Sequence, residues 1–265
     1  MSRYRIALAT TKPKTFYMAV RILQRLGLKF RSCTPDDHFC KEAKLVITTA
    51  EEMDGIDSNN LLVIDEIPDE ITTSLDVMTH YLATIPPREI IIGVDPGLHN
   101  GIAVLVDGAP VFGRVLASPI DASILIVKLV KHTRKRYAQS MVYTRIGLGS
   151  KLYSTLLLRQ LLRAYPDLLP ELVDERNTTT QGGYFKDQFS AELIALRTGR
   201  DYNADDLQIE AKRGFIRGLQ HLFVWLTDKK GVLTIEKARR ILQDELTLEE
   251  VLLEFHALEK KRSTA

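Results

Sequence analysis

The stretch from Glu89 to Val111, EIIIGVDPGLHNGIAVLVDGAPV, poses the first chemical question. The run Ile90-Ile91-Ile92-Gly93-Val94 is apolar enough for a buried strand, yet it ends in the carboxylate of Asp95. An ionised Asp beside a core is costly unless hydrogen bonds or a cation replace its lost water. Asp-Pro-Gly is also ordinary turn chemistry. Two readings of Asp95 therefore stand, a turn residue or a functional carboxylate.

Other side chains could handle phosphate. Lys128, Lys131, Arg134 and Lys135 recur at three- and four-residue spacing, with Arg136 and Tyr137 beside them. On a helix they form one basic stripe, either a grip for a phosphate backbone or a solvated face. Gly147-Leu148-Gly149-Ser150-Lys151 could offer backbone N–H groups to a phosphate, or could simply connect a strand to a helix. Cys33 and Cys40 are too few for a disulfide framework or a structural zinc site. The six histidines, at 38, 80, 99, 132, 221 and 256, show no ligand spacing and read as mostly structural.

The elements that must position these groups follow from hydrophobic pattern. Strands are expected at 5–9, 44–48 and 61–65, with helices at 16–26 and 75–83. That alternation describes a small parallel α/β (Rossmann-like) domain over residues 1–87, closed by Pro86-Pro87. Three strands then come in quick succession, 90–95, 101–107 and 110–117, with Asn100-Gly101 and Asp107-Gly108 as hairpin turns. Helix 122–137, strand 140–146, helix 151–164, strand 171–176 and helix 186–197 follow. The order over 88–200 is βββαβαβα, a meander and two crossovers, which calls for a mixed sheet. Residues 201–265 are helical, at 204–227, 235–243 and 247–261, the last opened by the capping box Thr247-Leu248-Glu249-Glu250. Its stripe of Leu248, Val251, Leu252 and Phe255 either covers a core or joins a homodimer.

Composition fits a soluble globular chain, 45% hydrophobic and 26% charged. No apolar run reaches the roughly 18 residues of a membrane span, and the opening residues do not make a signal-peptide core, so a cytoplasmic protein is expected. Residues 88–200 carry 15 Lys and Arg against 10 Asp and Glu. The flanking segments are slightly acidic, so the positive field belongs to the middle domain.

Three motifs in that domain carry a resemblance. Gly93-Val94-Asp95-Pro96-Gly97 followed by Gly101-Ile102-Ala103 is similar to the opening of the RuvC and YqgF nucleases. Leu172-Val173-Asp174-Glu175-Arg176-Asn177-Thr178-Thr179 resembles the strand end of YqgF proteins. Lys186-Asp187-Gln188-Phe189-Ser190-Ala191-Glu192 resembles the opening of their last helix. Residues 88–200 thus look like an RNase H-like domain of the RuvC/YqgF branch. The likeness covers neither the first 87 residues nor the last 65.

The resemblance implies a nuclease in which Asp95, Glu175 and Asp187 converge at one sheet edge. There they would hold two Mg²⁺ or Mn²⁺ ions for phosphodiester hydrolysis. Asp174 competes with Glu175, and Glu192 with Asp187. Lys128, Lys131, Arg134, Lys135, Arg176 and Lys186 are the expected contacts to structured or branched DNA or RNA. One departure matters. RuvC resolvases carry a Glu near the end of the fourth strand, and this chain reads Val142-Tyr143-Thr144-Arg145-Ile146. That absence favours YqgF over RuvC and keeps open a non-catalytic nucleic-acid-binding or scaffolding protein. A phosphotransferase of the sugar-kinase type would need a second such domain, and the first 87 residues lack the three-strand meander.

Overall fold

The computed structural model describes residues 5–175 and 186–263. The chain forms two compact units. One holds the residues up to Ile90 with Leu105–Phe112 and His132–Met141. The other holds Ile91–Val104, Gly113–Lys131 and the chain from Val142 on.

The first unit contains β1 (Ile6–Ala9), α1 (Pro13–Arg25), β2 (Phe30–Cys33), α2 (Phe39–Glu42), β3 (Leu45–Thr49), β4 (Leu61–Ile64) and α3 (Glu70–Leu82). Its four strands lie in the order β2-β1-β3-β4, all parallel, as the strand–helix alternation predicts. Ile6, Leu8, Leu45, Ile47 and Leu62 bury one sheet face against Ala19 and Leu23 of α1 and Val77 of α3. Each such large aliphatic side chain contributes about 1.5–3 kcal/mol on burial. Both long helices start earlier than their apolar stripes suggest. Pro13 opens α1, where its fixed φ and missing N–H cost nothing, and the Asp69 side chain accepts from Thr72 N–H to cap α3. Strand β2 was not expected, because Phe30-Arg31-Ser32-Cys33 is a half-buried edge with no apolar run. Cys33 and Cys40 are free thiols with sulfurs 3.6 Å apart, and burial together with Cys40 pushes Cys33 up to about 12.

A polar cluster inside this unit was also invisible in the sequence. The buried Asp76 Oδ1 lies 2.8 Å from His132 Nε2 and accepts from the Tyr137 hydroxyl at 2.9 Å. Nearby, His80 Nδ1 pairs with Asn60 Oδ1 at 2.8 Å, and Asn60 donates to the His80 carbonyl. Burial lowers His80 to about 4, with the Arg136 charge adding to the effect, so the ring is neutral. These two histidines are structural, as expected.

The second sheet contains β5 (Glu89–Asp95), β6 (Asn100–Val106), β7 (Ala109–Leu116), β8 (Met141–Gly147), β9 (Glu171–Val173) and β10 (Arg200–Asp201). Its order is β10-β9-β8-β5-β6-β7. Strands β8 and β9 are parallel and β9 and β10 antiparallel, so the sheet is mixed. The Asp107 N–H donates to Glu89 O, bringing the end of β6 to the start of β5. The Met141 N–H donates to Arg88 O, so β8 and β5 start side by side and finish at one edge. Helices α4 (Pro119–Arg136), α5 (Lys151–Ala164) and α6 (Lys186–Ala195) accompany the sheet.

Of the two expected hairpin turns, one is real. Asp107 and Gly108 have φ of 47° and 80°, the left-handed pair a tight hairpin needs. Asn100 and Gly101 instead begin β6, and the chain turns at 96–99. Gly101 has a packing reason, given below.

Helices α7 (Arg213–Leu226), α8 (Ile235–Leu242) and α9 (Leu248–Ser263) complete the described chain. The expected helix 204–227 is broken. Asn203 and Asp206 form a capping box around the short turn Ala204–Leu207, and Arg200 forks onto Asp206 with two bonds of 2.7 Å. The three helices pack on α5 in one cluster, where Leu152 and Leu156 meet Leu219, Leu222, Phe223, Ile241, Leu248 and Val251. The α9 stripe thus covers a core. Thr247 and Glu250 exchange the two bonds of the expected capping box, at 2.8 and 3.1 Å. Arg159, almost wholly buried, donates to the carbonyls of Leu207, Ile241 and Leu242 at 2.8, 3.0 and 3.0 Å and so closes the C-terminal end of α8. Among the described residues no helix is long and apolar enough to cross a membrane.

Candidate active site

The site is assembled on the sheet edge where β5 and β8 end. Asp95, half-buried, is the last residue of β5, and it is engaged with the surrounding protein. Strand β9 stops at Val173, so Asp174 and Glu175 are free of strand alternation. Asp174 is exposed, and its carbonyl accepts from Arg197 at 3.0 Å. Glu175 turns toward the β8–α5 loop, where one carboxylate oxygen accepts from Gly149 N–H at 2.8 Å. Between the two neighbours, Glu175 is the one that faces the sheet edge.

The glycines explain why the carboxylate can come so close. A Cβ on Gly147 would overlap one Glu175 oxygen, and a Cβ on Gly149 would stand 2.5 Å from the other. The loop therefore does connect a strand to a helix, and its Gly149 amide serves the chain's own carboxylate. That interaction also places negative charge beside the first turn of α5, where the helix dipole favours it.

Helix α6 reaches the same edge by a similar device. A Cβ on Gly101, at the start of β6, would overlap the Asp187 carbonyl oxygen. A Cβ on Gly93, in β5, would overlap the Ala191 carbonyl oxygen and lie 2.7 Å from Ala195 Cβ. The missing side chains let the helix backbone lie directly on the sheet. The far end of α6 is tied by Arg145, which donates to Ala195 O at 2.5 Å and pairs with Glu171 at 2.7 Å. Strand β8 thus uses Arg145 as an anchor for the far end of α6.

Asp187 lies half-buried in the first turn of α6, its backbone over Gly101. Glu192, a turn further on, accepts from Gln188 at 3.3 Å. Of the three expected ligands, β5 thus carries Asp95, the end of β9 Glu175 and the first turn of α6 Asp187. Among the described residues, however, no group of three His, Cys, Asp or Glu is gathered to hold one ion. The donor set still suits Mg²⁺, which is usually held by one or two carboxylates completed by water and substrate phosphate.

The expected nucleic-acid contacts divide. Lys128 and Lys131 lie on the part of α4 in the second unit, and the Lys131 ammonium stands 5.3 Å from the Tyr165 ring centre. Arg134 and Lys135 are exposed and belong to the first unit. Lys186 is the first residue of α6, and Arg176 lies outside the described residues, as do Asn177, Thr178 and Thr179.

One built carboxylate escaped the sequence reading. Glu52 accepts from Thr11 N–H at 2.7 Å and from the hydroxyls of Thr10, Thr11 and Thr49 at 2.5, 2.6 and 2.8 Å. Burial raises its pKa, yet these donors outweigh burial and hold it at about 2. The available signal was a pair of threonine doublets, Thr10-Thr11 just after β1 and Thr48-Thr49 ending β3, its parallel neighbour.

No known protein family and no curated protein matches the chain. Among solved structures it aligns with the X-ray crystal structure of Marinitoga piezophila Argonaute in complex with a 5′ OH guide RNA, at 10% identity and a TM-score of 0.27. The alignment covers 64% of this chain and 39% of the Argonaute, so this chain spans well under half of that protein's length. A likeness that loose carries no argument about fold or activity.

Proposed function

We propose that residues 88–200 form an RNase H-like domain that hydrolyses phosphodiester bonds in structured or branched nucleic acid, with Asp95, Glu175 and Asp187 as its carboxylates. Residues 1–87 and 201–265 flank it as an α/β domain and a helical extension. The observation that carries the reading is the edge itself. Strands β6 and β7 lie on one side of β5 and strands β8 and β9 on the other, with Asp95 at the end of β5, Glu175 just past β9 and Asp187 in the first turn of α6. Bound Mg²⁺ or Mn²⁺ would supply a nucleophilic water and neutralise charge on the leaving oxygen. The chain's own part is positioning. Glycines let Glu175 and the start of α6 approach, and Gly149 N–H orients the Glu175 carboxylate.

A second reading, a non-catalytic nucleic-acid-binding or scaffolding protein, draws on two observations. No three ligands are gathered among the described residues, and Glu175 has a structural partner in Gly149.

Asp95→Asn separates the two. It keeps the shape but removes charge that a cation needs. Cleavage of a branched substrate in Mg²⁺ or Mn²⁺ should fall beyond the roughly 10–100-fold typical of losing an outer-shell metal partner, with substrate binding retained. A parent protein that binds nucleic acid and never cleaves it with either ion would leave the scaffold reading.

A further inference from the structure

We infer that a groove at the carboxylate edge receives an unpaired nucleobase, with Trp225 as its stacking platform. The inference rests on the nucleic-acid reading above and narrows the substrate to strands that present an unstacked base.

The groove holds about 620 Å³, within the range of small-ligand sites. Its wall is built from Ile120 and Asp121 of α4, Trp225 at the end of α7, Asp228 and Lys229 just after it, and His256 of α9. All belong to the second unit. Two contacts fix its place. Asn100, which opens β6, donates from its side chain to Leu116 O at 3.3 Å, so α4 starts from the edge where β5 ends. The Trp225 ring meets His99 edge to face, with centres 5.4 Å apart, and His99 sits in the short link between Asp95 and Asn100. The tryptophan thus touches the loop that follows the candidate acid.

Trp225 is out of place for a core residue. Ile216, Leu219, Leu222 and Phe223 of the same helix are buried, whereas Trp225 keeps 42% of its surface exposed. The perpendicular contact with His99 holds the indole beside the loop that follows Asp95. Single-strand binders use such aromatic faces because every base has a π-face, and a base within a duplex cannot offer one. The rim is suited to a base edge. Asp121 and Asp228 can accept from exocyclic amino groups, and Lys229 and His256 can donate to base carbonyls or a flanking phosphate.

Trp225 is the only tryptophan in the chain, so its fluorescence reports this groove alone. The full chain is titrated with a labelled single-stranded oligonucleotide and with a blunt duplex, in EDTA so that no cleavage intervenes. Anisotropy follows binding while tryptophan emission is read in parallel. Saturable quenching by the single strand and none by the duplex is expected. Trp225→Ala should weaken single-strand binding by about 5- to 150-fold, while Trp225→Phe, which keeps a π-face, retains most of it. A single strand that binds without quenching, and as tightly to Trp225→Ala as to the parent, overturns the inference and leaves the nucleic-acid reading standing. A chain that binds neither oligonucleotide overturns the inference, and one that also fails to bind a branched junction overturns the nucleic-acid reading.

Discussion

Glu52 in the first unit and Glu175 in the second solve one local problem in opposite ways. Each carboxylate lies against a turn from strand to helix and accepts from one backbone N–H there, Thr11 at 2.7 Å and Gly149 at 2.8 Å. Around Glu52 the turn supplies hydroxyls from Thr10, Thr11 and Thr49, which solvate the charge inside the protein. Around Glu175 the turn supplies glycines, which make room and bring no hydroxyl of their own. Threonine neighbours finish a carboxylate's chemistry. Glycine neighbours fix its position.

If close approach organises the second sheet's edge, adding single methyl groups should break it selectively. In Gly101→Ala the new Cβ meets the Asp187 main-chain carbonyl, which cannot move without shifting α6. Overpacking of this kind costs about 1–3 kcal/mol. Gly113→Ala also lies under α6, but its Cβ meets the flexible Gln188 side chain, so the cost should stay near 0.5 kcal/mol. Urea unfolding of the two variants checks the contrast. Equal losses would mean that α6 floats on the sheet and does not position Asp187.

The first unit's edge should instead break through protonation. Glu52→Gln exchanges charge-assisted bonds for neutral ones, worth about 1 kcal/mol at neutral pH. Glu52 is held at about 2, below its ordinary 4.5, so the unfolded chain binds more protons as pH falls. The stability it supplies is complete above pH 4.5 and is lost as pH falls toward 2. His80 acts in the same direction between its ordinary 6.5 and about 4, because the folded state must keep it neutral. Unfolding midpoints measured from pH 7 down to 3 should therefore decline. Glu52→Gln should flatten only the part below about pH 4.5, and a parallel decline in parent and variant would show that Glu52 carries no such linkage.

Much of this architecture was legible in the sequence, for identifiable reasons. Buried strands such as Leu45–Thr49 and Glu89–Asp95 announce themselves as apolar runs. Asp107-Gly108 marks its own turn because few other residues tolerate positive φ. Strand β2 gave no signal, since a polar edge strand has no apolar run and is defined by its partner. Asn100-Gly101 misled because glycine serves turns and close packing alike, and only the position of α6 tells which. At the candidate site Asp95 stood out because a charge ends an apolar run. The preference for Glu175 over Asp174 came from the resemblance alone, because where β9 stops is a boundary fixed by pairing with β8. Glu52 was hidden because most of its donors, on Thr10 and Thr11, come from about forty positions away.

The basic stripe on α4 offers the finest test of which unit meets nucleic acid. Lys128 and Lys131 belong to the unit that carries the candidate acids, and Arg134 and Lys135 to the other. Each lysine that neutralises a phosphate releases counterions, so removing it should lower the dependence of log affinity on log salt by about 1. Lys128→Ala with Lys131→Ala should reduce that slope by about 2, whereas Arg134→Ala with Lys135→Ala should leave it unchanged. Binding isotherms between about 50 and 200 mM salt give the slopes directly. The reverse pattern would move the nucleic-acid surface to the first unit and separate it from the carboxylate edge. Two unchanged slopes would return the whole stripe to a solvated helix face, and phosphate contacts would then have to come from elsewhere in the chain.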